Sequence, residues 1–139
     1  MSGLRSVLRF FLLYSHRSKV PTGIYPLDSI ESVAVLRSPG EYALDRMVTD
    51  FFRARNIRVR LLSKQDPDLR TDEDLFISLM AVADMDELYA AVSSKAKFKI
   101  GIHNLRRDVY NIVVTVTESG DARQAAIFET IEDILKKVR

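Results

Sequence analysis

The chain has no cysteine and no tryptophan, and only two histidines, five glycines and four prolines. Without cysteine it can form no disulfide, hold no metal through thiolate and use no thiol nucleophile, which reads as a cytoplasmic setting. The isolated His16 and His103 cannot make a zinc site without help from carboxylates, so no metal and no cofactor is expected. The three-glycine dinucleotide fingerprint, the GxxxxGK[ST] phosphate loop, the G-x-S-x-G elbow and H-E-x-x-H are all missing. No apolar run reaches the roughly 20 residues of a membrane span, and no small-residue cleavage site follows the first one. Neither a transmembrane helix nor a signal peptide is expected.

What is present fits one domain with one core: 139 residues, 47% of them hydrophobic. The net charge is only +2, yet residues 1–60 carry ten Lys/Arg against five Asp/Glu, and residues 61–139 carry eleven against fourteen. Positive charge gathered at the front suggests contact with RNA, lipid headgroups or an acidic protein, although the balanced total disfavours bulk nucleic-acid binding.

Residues 4–14 (LRSVLRFFLLY) are apolar except for Arg5, Ser6 and Arg9, and Arg5, Arg9 and His16 share a stripe at helical spacing. A helix is expected there, packed on the protein's own sheet, on a partner or on a membrane surface. Pro21, Gly23 and Pro26 mark 15–28 as a connector, giving a basic arm and connector over 1–28 and a single α/β domain over 29–139. Residues 32–36 (SVAVL) fit a buried strand. In 38–41 (SPGE) Ser38 caps, Pro39 takes the first helical position and Glu41 reaches back, opening a helix along Leu44, Met47, Val48, Phe51 and Phe52 that stops at Asn56. Residues 57–62 (IRVRLL) alternate, with Arg58 and Arg60 on one face of an edge strand.

The stretch 63–74 reads as a polar surface loop that connects without covering, and its five acidic residues lack the glycine and final glutamate of a calcium loop. Residues 75–82 (LFISLMAV) supply a second buried strand, and Asp84 with Glu87 a second capping box, for a helix bearing Met85, Leu88, Tyr89 and Val92. The sheet is organised around 97–104 (KFKIGIHN), read as its centre. Phe98, Ile100 and Ile102 point to one face, Lys97, Lys99, Gly101 and His103 to the other, and the glycine marks a close approach. An approaching helix or the arm would fill that space, so Gly101→Val should destabilise more than Lys99→Val. A short basic loop joins this strand to 110–117 (YNIVVTVT), expected as its antiparallel partner. Residues 119–121 (SGD) open a last helix with Ala126, Ile127, Ile131, Ile134, Leu135 and Val138 on its apolar face.

Right-handed crossovers put the Val33 and Leu75 strands side by side, with the Arg58 strand at one edge and the Val113 strand at the other. The expected class is α/β: a three-layer, mostly parallel five-stranded sheet, Rossmann-like or flavodoxin-like, with its last strand antiparallel and a helical arm before it. The run 95–101 (KAKFKIG), followed by a loop, a hydrophobic strand and an amphipathic final helix, resembles a family of small uncharacterised α/β proteins from Bacteroidota. The likeness extends to the basic first helix and first strand, although 63–74 is compact for that family. It implies a fold and a bacterial cytoplasmic setting and carries over no site.

Open α/β sheets bind ligands at strand carboxyl ends, which here gather Arg37 and Ser38, then Asp84, then His103 and Asn104. His103 oriented by Asp84 would make a general base, and the Ser38 to Gly40 amides could hold an anion, although Ser38 and Asp84 already have capping roles. The leading expectation is a non-catalytic binding or accessory module that docks on a larger anionic protein or ribonucleoprotein assembly. Its contacts would be Arg5, Arg9, Phe10, Phe11, Arg17 and Lys19, with Arg58 and Arg60 on the edge strand. The alternatives are a small-molecule enzyme or sensor using His103, Asp84 and Ser38, and peripheral membrane association through the first helix. No sequence-specific DNA binding is expected.

Overall fold

The computed structural model of the chain describes residues 9, 12, 16–80, 84–102, 109–114 and 123–138. Among them, β1 (Ser32–Leu36), β2 (Arg58–Leu62), β3 (Leu75–Ser78), β4 (Phe98–Gly101) and β5 (Ile112–Val113) form one sheet in the order β2-β1-β3-β4-β5. Every pair is parallel, the flavodoxin-like arrangement of an α/β fold. Helices α1 (Tyr42–Arg53) and α3 (Gln124–Lys137) share a core with Val33, Val35, Leu75, Ile77, Phe98 and Ile100, while α2 (Met85–Ser93) packs with Ala34, Leu36 and Phe76 on the opposite face.

Burial follows from this layering. All positions of β1 and β3 are covered, as continuous apolar strands between two helical layers should be, whereas Arg58 and Arg60 of edge strand β2 are exposed. The middle strand is β3; β4 lies next to it, flanked by β3 and β5, and is not the centre.

The antiparallel expectation for the last strand is overturned: Ile100 pairs with Ile112 and Gly101 with Val113 in parallel register. Asn111 accounts for this. Its N–H donates to the Lys99 carbonyl at 2.8 Å and its Oδ1 accepts from the Lys99 N–H at 2.8 Å, so the chain enters β5 beside the amino-terminal half of β4. The expected continuation of this strand over 115–117 and the helix opening at 119–121 lie outside the described residues.

Helix α1 begins at Tyr42, without the box expected around Ser38, because Gly40 has φ +102° and Gln124 takes the groups that the box would have used. Its other end is as expected. Asn56 has φ 60°, and the Asn56 and Ile57 amides return to the Arg53 and Phe52 carbonyls at 3.0 Å each, the paired bonds of a Schellman stop. The 63–74 loop does cover: Leu69 is fully buried in the α2-side core. In α3, Phe128 meets Phe51 and Phe52 edge-on, with ring centroids 5.9 Å apart in both pairs.

The segment before the sheet is bonded into the domain. Ser18 N–H donates to the Val92 carbonyl at 3.0 Å, Gly23 N–H to the Lys97 carbonyl at 2.8 Å, and Asn111 Nδ2 to Thr22 Oγ1 at 3.2 Å. It is a strap across the end of α2 and the start of β4.

Candidate anion-binding cleft

At the strand carboxyl ends, the described groups are already engaged. Arg37 forks onto Asp45 at 2.9 and 3.1 Å. The Ser38 N–H donates to Gln124 Oε1 at 2.8 Å, while Gln124 Nε2 donates to the Ser38 carbonyl at 3.2 Å and to Glu41 Oε2 at 2.9 Å. The amide offered to an anion is therefore taken, and Gly40 stands in open space. Asp84 caps α2 as expected, accepting from the Glu87 N–H at 2.9 Å, and pairs with Lys64 at 3.1 Å. His103 and Asn104 lie outside the described residues.

Arg9, expected to meet a partner, is turned inward. It is helical, as the exposed Leu12 is, but only 5% exposed, and it donates to Asp86 Oδ1 at 2.8 Å, the Lys64 carbonyl at 3.1 Å and the Asp66 carbonyl at 2.7 Å. A guanidinium has five N–H donors in a rigid fork, which suits one buried carboxylate and two carbonyls at once. His16 extends the seam, its Nδ1 sharing a hydrogen bond with the Tyr89 hydroxyl. Arg5, Phe10 and Phe11 lie outside the described residues.

Arg17 and Lys19 instead border a cleft of about 950 Å³ between the strap, the β2 edge, the loop before β3 and the end of α2. Arg60, Arg70 and Lys95 line it too, against the carboxylates of Asp68 and Asp72. Arg58 lies off this cleft, in a neighbouring depression of about 460 Å³ with Glu31 and Asp74. Two of its arginines are paired. Arg60 reaches Glu73 at 3.3 Å and Arg70 reaches Asp68 at 3.2 Å, with both arginines about half exposed. The Arg70–Asp68 pair is exposed on both sides and contributes little, so a multivalent anion can displace it, whereas Glu73 is buried and keeps Arg60 as its partner. The Arg70 amide, and then its guanidinium, hold the Asp68 carboxyl below the ordinary carboxylate range.

Beyond the strap, Lys99 is 4% exposed, and its ammonium donates to the Ala91 carbonyl near the end of α2 at 2.7 Å. Burial, and then the Arg17 charge, push it down to about 8. Alternation places Lys99 on the face where a helix or the arm is expected, and α2 and the strap do close over it.

Among the described residues no group of three or more His, Cys, Asp or Glu is placed to hold a metal ion, and no helix is long and apolar enough to cross a membrane. Comparison of the chain with protein-family models, with curated proteins and with solved structures finds no match.

Proposed function

We propose that the protein is a non-catalytic, cytoplasmic binding module that docks through its basic cleft on a larger anionic assembly, protein or ribonucleoprotein. One observation carries this reading: five cationic side chains from four segments, Arg17 and Lys19 of the strap, Arg60, Arg70 and Lys95, line one cleft against two carboxylates. Charge so focused raises the local concentration of anionic partners and speeds their capture. The docking surface centres on the strap and the β2 edge, because Arg9 is used internally.

Affinity capture from lysate tests the proposal, comparing the wild-type chain with a variant carrying Arg17→Gln, Arg60→Gln and Arg70→Gln, with and without nuclease. Partners lost with the three arginines support it, and loss on nuclease treatment identifies RNA as the bridge. Identical partners in both chains would end it.

A further inference from the structure

The strap separates the cleft from a smaller chamber of about 170 Å³ lined by Arg17, Ser18, Thr22 and Lys99. Lys99 spends one of its three ammonium hydrogens on Ala91. Among the described residues, no carboxylate lies within ion-pair distance of it. The charge that acts on it is that of Arg17, of the same sign. Two cations facing one small space, one of them almost wholly buried, make a site that is costly while empty of negative charge. The hydroxyls have matching polarity. Ser18 Oγ accepts from the Val20 N–H and Thr22 Oγ1 from Asn111 Nδ2, each at 3.2 Å, which leaves both hydroxyl protons to donate.

We propose that this chamber binds a small oxyanion, a phosphate or a carboxylate, between the Lys99 ammonium and the Arg17 guanidinium, with the Ser18 and Thr22 hydroxyls as further donors. The site shares Arg17 with the docking cleft but is told apart from it by Lys99, which lines only the chamber, and by Arg60, Arg70 and Lys95, which line only the cleft. Bound anion would return the Lys99 pKa toward its ordinary value, coupling occupancy to protonation.

The test is a titration of the full chain at pH 7 with sodium phosphate and, separately, sodium acetate, at ionic strength held constant with chloride. Tm and the Lys99 side-chain nitrogen resonance are followed. A saturable rise in Tm with one anion, together with an upward move of the Lys99 pKa, is expected. Lys99→Met and Arg17→Gln should each weaken it about tenfold or more, and Arg60→Gln with Arg70→Gln should leave it unchanged. Should Lys99→Met fail to fold, Arg17→Gln, at an exposed position, decides together with Arg60→Gln/Arg70→Gln: an effect weakened by the first and untouched by the second stays with the chamber. No saturable effect of either anion, or an effect abolished by the Arg60/Arg70 variant and untouched by Arg17→Gln, overturns the proposal. The latter outcome would assign the anion to the cleft.

Discussion

The ring of Tyr110, rather than the helix or arm expected there, lies over Gly101 so closely that a Cβ would stand 2.5 Å from Cδ2 and Cζ and nearer still to Cε2. The ring is buried and lies parallel to Phe76, with centroids 6.5 Å apart and an interplanar angle of 8°. Gly101→Val should therefore destabilise the fold by about 1–3 kcal/mol or more, read as a lowered urea midpoint. Adding Tyr110→Leu should recover part of that loss, a coupling visible in a double-mutant cycle. A wild-type midpoint for Gly101→Val would mean that the ring is not held there.

Arg9 and Asp86 form an ion pair whose side chains are 6% and 10% exposed. Removing one partner of such a pair is far costlier than breaking a surface pair, so Arg9→Met should cost about 3 kcal/mol in urea unfolding. Arg46→Met, which disrupts the exposed Arg46–Asp50 pair at 3.9 Å, should leave the midpoint nearly unmoved. Equal effects would show that Arg9 is not pinned to Asp86 in the folded chain.

Lys99 predicts an unusual pH dependence. Its pKa falls from 10.5 to about 8 on folding, so between those values the unfolded chain binds more protons than the folded one, and stability rises with pH. Below about 8 the cost of burying the ammonium is present in full. Tyr89 and Tyr110, both raised chiefly by burial, work in the opposite sense above their ordinary value of 10.0, so the measurement belongs below it. Chemical denaturation from pH 7.5 to roughly 9.5 should show stability climbing in the wild type and less so in Lys99→Met. Parallel curves would show that Lys99 titrates as an ordinary lysine.

Gln124 bridges α3 to the loop after β1 through three hydrogen bonds. Gln124→Ala should cost about 1–3 kcal/mol and speed hydrogen exchange at the Ser38 amide, which otherwise reports the opening of α3. An unchanged exchange rate would rule out that clamp.

Much of the scaffold was legible because it rests on local pattern. Continuous apolar runs marked β1 and β3, alternation split Phe98 and Ile100 from Lys99 and Gly101, and Asn56 announced the end of α1. What failed depended on distant partners. The bonds that Asn111 makes to Lys99 set β5 parallel, and Gln124 displaced the capping box at Ser38 from 86 residues away. The cleft was half visible: Arg17, Lys19 and Arg60 stood out as basic residues, but Arg70 and Lys95 sit among acids and serines in sequence and join the others only in the fold.

The central claim is that the cleft binds anions as a unit. Fluorescence anisotropy with a labelled single-stranded RNA oligomer and a labelled poly-glutamate peptide, each across a salt series, tests it most directly. The account predicts that one of the two binds with log K falling linearly in log salt, and that the slope shrinks in Arg60→Gln/Arg70→Gln but not in Arg46→Gln, whose arginine lies on α1. Salt-independent binding, no binding of either probe, or equal slopes in all three chains would contradict it.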